Sequence, residues 1–564
     1  MYKRLFSALL LILMCSALAE GREKIFLNNG WSFAQYAGFD LSEAKWSTVS
    51  LPHDWVVDLP YIPARTEKMV GWKYAENSAG WYKKVLSIPE SDKGMRIVLD
   101  LDGVLSRCNV YCNDAEVRPS SDGSFELTNY LVYGRDNELL IRVEAQMKES
   151  DTYVGAGLCG DAWLYKSPAV SVSNVRYNTE VFGSRCNVTV YTTVSNSDPE
   201  AEEYVSVKQY LEDAIGTSIC ESQISLDYSI PFSETSYEQT LSFDYPVVWD
   251  FGLPYAYSLR TLVIRGGNIV DELRTPLYVR TFTSDDGGID CSLNGKQITV
   301  SACSLEDFYI PVGSAVPAGY WRYLVESKKA AGYNCVRAHN APSALLDVCD
   351  ELGFLLIDQV DDVEAAVRRD GNHPCIVMWD VAQSPSFERD KVLARRLDPS
   401  RPIHEFSAST ALRQPVKEGK VKKSRKKAES IMMSLSKTEL KSDGQDIIVA
   451  DVWLVDDNGN DAPIEKDLYI YVDKDMTTAF GIPEEDARNA QKFAPVCLLG
   501  YCNADPAFRE TVREWSIPQI LLMKAYQGRA QVLIRSIEGC SGPAHIRIGS
   551  DSTFGASATI NYVD

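Results

Sequence analysis

The 564-residue sequence has no excess of basic residues: 57 Lys and Arg stand against 78 Asp and Glu, a formal charge of −21 at pH 7. A polyanion such as DNA is therefore not expected as the main partner, because neutralising phosphates needs a basic footprint. A neutral ligand is favoured. There is no Cys-x-x-Cys pair, and the spacing of the 14 cysteines matches no zinc site. Cys15 falls in a leader described below, so fourteen less one leaves an odd number, spread too widely for the disulfide framework of a small scaffold. Cys108 and Cys112 share a strand face but sit roughly 13 Å apart at strand rise, beyond disulfide reach. Most of the cysteines are expected to be small buried hydrophobes. Past residue 19 no segment is long and apolar enough for a membrane span, and no cofactor is expected.

What is present begins with Lys3 and Arg4, an apolar run over 5–14 and Ala17-Leu18-Ala19, the pattern of a secretory signal with an Ala-x-Ala cleavage site. The expected address is secreted or periplasmic. Lipoprotein anchoring through Cys15 is the alternative, and the bulk of Met14 before it disfavours it.

With 45% hydrophobic residues the chain can bury several cores. Residues 20–169 show short alternating strands separated by Gly, Asn and Asp turns, the pattern of a β-sandwich or jelly roll. Trp31, Trp55, Trp81 and Trp163 are expected to fill its core. Residues 170–282 continue in β pattern at the length of one immunoglobulin-like sandwich. Over 283–409 strands alternate with helices, the signature of a parallel sheet: strands at 298–302, 334–338, 354–358, 375–379 and 402–406, with helices at 317–331, 341–352, up to 369, and 385–397. A basic linker, 410–430, carries seven Lys and Arg between 417 and 427 and reads as solvated chain. Residues 431–564 return to alternating strands with Asp-Gly and Asn-Gly turns.

The segment 372–384 organises the rest. Its apolar, β-rich core is entered through a His373-Pro374 turn and reads as a buried parallel strand whose carboxyl end points at a site. His373, in the turn, belongs to the opposite end. Around it, Gly332-Tyr333-Asn334-Cys335-Val336-Arg337, His339-Asn340, Asp350-Glu351-Leu352-Gly353-Phe354 and Arg368-Arg369-Asp370-Gly371-Asn372-His373-Pro374 resemble the start of the (β/α)8 barrel of glycoside hydrolase family 2, the β-galactosidase and β-glucuronidase family. Leu51-Pro52-His53-Asp54-Trp55, Gly80-Trp81-Tyr82-Lys83-Lys84 and Gly155-Ala156-Gly157-Leu158 resemble its amino-terminal sugar-binding domain. The chain departs from it at Cys159-Gly160, where a Tyr-Arg pair is usual. The resemblance implies a multidomain protein: jelly-roll and immunoglobulin-like sandwiches plus an incomplete TIM-type barrel of about five βα units.

The same resemblance makes the departures informative. The family's fourth strand ends Trp-Ser-x-Gly-Asn-Glu with that Glu as acid/base, whereas this chain reads Trp379-Asp380-Val381-Ala382-Gln383-Ser384. Serine cannot protonate a leaving oxygen near neutral pH as a tuned carboxylic acid does. The nucleophile should end a seventh strand, and after Phe406 there is no room for one. Retaining cleavage needs two carboxyl groups about 5 Å apart. Asp380, four residues before Ser384, is expected about 13 Å away, deep in the barrel wall; Glu388 and Asp358 are the other carboxylates considered. Candidate substrate-binding residues are Arg337, His339, Asp358, Trp379 and Gln383. The expected function is a non-catalytic, glycan-binding pseudoenzyme, with a weak β-glycosidase using relocated residues and a structural or assembly protein as alternatives. Five parallel strands leave open edges that template association, so the arc is expected to be covered by the carboxy-terminal domain, by rearranged strands or by a second copy.

Overall fold

The structure, a computed structural model, describes residues 21–58, 79–105, 107–120, 123–145, 155–200, 202–284, 291–305, 312–382, 384, 386–404, 428–473, 496–503, 520–525, 527–550 and 553–563. The leader with Cys15, Gln383 and the basic run lie outside the described residues.

The amino-terminal domain pairs antiparallel strands into sheets of four, six and three among the described residues. Trp31 and Trp55 are buried in the core between the two larger ones. Trp81 is buried as well, but on the opposite face of its strand from core residue Tyr82, where it packs against Phe39, Tyr111 and Arg142. Trp163 is not: along Ala162–Pro168 the inward positions are Ala162 and Leu164, so alternation turns Trp163 outward, where Phe26 packs on it at 4.6 Å and the Lys24 amine lies 4.0 Å from its ring. The Cys159-Gly160 departure has a steric reason. A Cβ on Gly160 would lie 1.3 Å from the Asp102 carbonyl oxygen, so only glycine fits.

The second domain packs a three-stranded sheet on a five-stranded one around Val188, Val190, Val207 and Leu259. It reaches the next domain through polar contacts: Asn372 Nδ2 donates to the Val175 carbonyl at 2.7 Å, and the wholly buried Arg280 donates to the carbonyls of Pro374 and Ile376.

The third domain is a parallel arc. Its elements are β1 (Ala302–Ser304), α1 (Ala318–Ala330), β2 (Cys335–His339), α2 (Ser343–Leu352), β3 (Leu355–Gln359), α3 (Val363–Asp370), β4 (Ile376–Asp380), α4 (Phe387–Leu397) and β5 (Ile403–His404), with strands in the order β1-β2-β3-β4-β5. β4 is buried at every position and apolar up to its last residue, Asp380, because a parallel strand is covered on both faces. Gly353, at φ +61°, ends α2 in the left-handed cap that glycine favours. β1 begins four residues later than the sequence pattern suggests. Ile298 instead ends a strand, Lys296–Ile298, that pairs with Cys291–Leu293, and the Asn334 side chain accepts from Ser301 N at 2.8 Å and donates to the Thr299 carbonyl at 2.9 Å, holding 299–301 outside the parallel sheet, so pairing starts at Ala302 against Cys335.

Strands of the carboxy-terminal domain form one connected nine-stranded sheet among the described residues, eight along one path and Glu439–Lys441 beside the last strand, joined where Ser430 meets Phe554 in parallel. Ile447, Val449 and Leu533 of this sheet enter the barrel's own hydrophobic core, and Tyr323 of α1 donates to Asp451 at 2.7 Å. The sheet therefore covers the helix that follows β1. The same domain also touches the first, through Asn29 Nδ2 on Glu538 Oε2 at 3.1 Å and Gln445 Nε2 on Asn29 Oδ1 at 2.7 Å.

Candidate functional site at the strand ends

Register decides which side chains share a face. Gln359 lies opposite both His339 and Asp380, while Asp358 lies opposite Ala338 and Trp379. Since neighbours along a strand alternate, Arg337, His339, Gln359 and Asp380 point to one side and Asp358 and Trp379 to the other. The first set faces the carboxyl-end opening of the arc.

Asp380 is fully buried and ends β4, contrary to the expectation that it sits deep in the wall. That expectation ran the strand on to Ser384. The chain instead turns after Asp380, with Ala382 N donating to Asp380 Oδ1 at 3.0 Å and Ser384 N to the Val381 carbonyl at 3.0 Å. Arg337 reaches across from β2, and its Nη2 lies 2.5 Å from Asp380 Oδ2 and 3.5 Å from Gln359 Oε1. A buried carboxylate is tolerable because this guanidinium compensates it.

His339 is 42% exposed in its side chain and sits 3.1 Å from Asp361 Oδ1. Asn340, at φ +44°, locks that arrangement: it donates to Asp361 Oδ2 at 2.9 Å and accepts from Asp361 N at 3.1 Å.

Asp358 faces the helices. It accepts from Ala341 N at 3.0 Å, just before α2, and its second oxygen has no hydrogen-bond partner among the described residues. Burial pushes this carboxyl up to about 7. Trp379 is wholly buried on the same side. Its indole N–H donates to Asp398 Oδ2 at 2.9 Å, and the Arg401 guanidinium, paired with that carboxylate, lies 5.6 Å from the ring.

Ser384 stands at the entrance to α4. Its hydroxyl donates to Asp390 Oδ2 at 2.5 Å and accepts from Ser386 N at 3.0 Å. Asp390 is the carboxylate that sequence reasoning missed, because it stands a turn and a half along the chain from Ser384; the acidic first turn of α4 was the available signal. Gln383 lies outside the described residues.

At the other end of β4, Asp350, His373 and Cys375 bring one donor atom each within 4.8 Å of one another. Each is already engaged: His373 Nδ1 lies 2.6 Å from Asp350 Oδ2, and Cys375 N donates to Asp350 Oδ1 at 3.0 Å. Burial alone would lower the His373 pKa, but the Asp350 carboxylate outweighs it and raises the imidazole to about 9.

Residues 359–421, which include β4 and Ser384, match the family model for the TIM barrel domain of glycosyl hydrolases family 2. A β-galactosidase of Bacteroides ovatus is 28% identical over 405 residues, covering 65% of this chain and 47% of that protein. The chain spans about half the length of the curated relatives it matches. Among solved structures, a glycosyl hydrolase family 2 member from Bacteroides cellulosilyticus superposes with a TM-score of 0.76 at 17% identity, covering 95% of this chain and all of that one. A β-glycosidase from Bacteroides vulgatus gives 0.75 at 16% identity, covering 96% of this chain and 100% of that one.

The chain is similar to glycoside hydrolase family 2 in its barrel segment and in fold. At Ser384, where the resemblance sets the family's acid/base, the side-chain hydroxyl is hydrogen-bonded to Asp390. The strand-end opening of the family 2-like arc thus presents one neutralised ion pair, an exposed imidazole and an amide.

Proposed function

We propose that the protein is exported and binds carbohydrate without hydrolysing glycosidic bonds. One observation carries the reading: only 25 residues, 405–429, separate β5 from the strand Ser430–Leu435 of the last domain. A βαβ unit takes about 30 residues, so a seventh strand with a nucleophile at its end has no chain to form it, and Ser384 removes the partner acid. Secreted or periplasmic placement rests on the leader pattern. The β-galactosidase and putative β-glucuronidase relatives suggest a β-linked sugar, held by Arg337 and His339. Asp358 and Trp379 we read as scaffold.

The test is turnover of aryl β-galactosides and β-glucuronides by pure protein, alongside calorimetric titration of the corresponding sugars. Heat of binding without turnover is expected. Turnover abolished by one carboxylate substitution would sink the reading. Asp390 favours a second one, a weak β-glycosidase, because it places a carboxyl within hydrogen-bond distance of the acid/base position; loss of measurable turnover in Asp390→Asn would support it.

A further inference from the structure

The second domain carries an apolar stripe on its outside. Ile224, Leu226, Tyr228, Ile230 and Phe232 occupy five successive alternate positions, and all are 45–67% exposed. The middle of this run is the strand Ser225–Ser229, which among the described residues pairs only with the strand Glu203–Glu212. Tyr204 lies opposite Tyr228 on that neighbour, 61% exposed, with the two rings edge to face at 5.0 Å. Alternation normally turns the apolar set inward; here Ser229 is the buried residue and the large side chains face water. Phe232 is held at φ +56°, a costly conformation for a bulky residue, directly after Pro231.

The size of the patch says what it fits. Side chains of this class present about 150–250 Å² each, so the six expose about 650 Å² together, more than the 300–600 Å² of the largest patch on a typical monomer. Two such stripes laid face to face would bury about 1,300 Å², inside the range of about 1,200–2,000 Å² for a stable association. A twofold axis near Tyr228 would lay the stripe on itself, an isologous contact. We infer that this face of the second domain binds the same face of a second copy of the chain. The net charge of −21 on each copy opposes the contact at low salt and is screened at high salt.

The experiment is sedimentation of the purified full chain and of the Leu226→Lys/Tyr228→Lys double variant. Both positions are exposed, so thermal unfolding of the variant should match the parent. The parent is expected to dimerise in the micromolar range, more tightly at about 0.5 M than at about 0.05 M salt, and the variant to lose at least about tenfold in affinity. Tyr245→Lys, exposed beyond the far end of the strand Ser233–Asp244 from Phe232, should dimerise as the parent does. A parent that stays monomeric at tens of micromolar, a dimer indifferent to the double substitution, or a stripe that binds neutral lipid vesicles while the chain stays monomeric would each overturn the inference.

Discussion

Arg337 and Asp380 meet across two strand positions, nitrogen to oxygen at 2.5 Å, with the carboxylate wholly buried and the guanidinium nearly so. The pair fills the opening of the arc from within. A ligand that needs the arginine must compete with an aspartate that stands where the family's strand carries serine.

Removing one partner should therefore be costly. Asp380→Asn leaves the guanidinium buried without its counter-charge and is expected to destabilise by about 3–5 kcal/mol. The double substitution Arg337→Met/Asp380→Leu should recover much of that loss, because neither charge remains. Urea unfolding of the three proteins at neutral pH reads both effects.

Asp358 makes a pH prediction. Its folded-state pKa, about 7, lies above its unfolded value, so the folded state holds the proton more tightly and stability attributable to this group falls as pH rises from about 4 to about 7. The penalty is absent below that window and reaches up to about 4 kcal/mol above it. Asp358→Asn keeps an acceptor for Ala341 N and removes the charge. The variant should equal the parent near pH 4 and exceed its melting temperature at pH 8.

His373 loses stability in the same direction of pH, but as a stabilising charge given up rather than a buried charge acquired. Its pKa is raised to about 9 by Asp350, so its contribution is complete below the unfolded value near 6.5 and is lost as pH climbs through about 9. His373→Gln should cost about 2–3 kcal/mol at pH 6 and progressively less toward pH 9, measured as the parent-minus-variant difference in unfolding free energy.

Ser384→Glu alone should not restore hydrolysis, because a single carboxyl is half of the required pair. Release of aryl leaving group above the parent's rate would show that a nucleophile stands elsewhere in the chain.

Gly160→Arg, which rebuilds the family's usual residue, should fail to fold normally. Even the first side-chain carbon would fall on the Asp102 carbonyl, and overpacking of this severity costs at least about 1–3 kcal/mol. Gly160→Ala should already lower the melting temperature of the first domain.

Much of the fold could be read from the chain itself. The helices after β1 and β2 and the strands β2 to β5 fall within a few residues of where apolar periodicity and the His373-Pro374 turn place them. What periodicity could not supply was side-chain bonding. Asn334 delays β1 by bonding the backbone of its approach at Thr299 and Ser301, and Asp380 ends β4 because Ala382 N and Arg337 claim its carboxylate. Asp390 escaped notice because its link to Ser384 arises from the first turn of α4, a spatial relationship that strand rise does not describe. Trp163 was misplaced for a simpler reason: aromatic type suggests burial, but the pleat decides the side.

Asn29 and Glu538 are hydrogen-bonded although 509 residues separate them in sequence. Contacts of such span form late, since the intervening chain must first be brought together at the entropic expense of closing a very long loop. During synthesis the first domain and α1 must wait for the last strands to emerge before their outer surfaces are sealed, so this protein is most exposed to misassembly and proteolysis while its carboxy-terminal sheet is still being made.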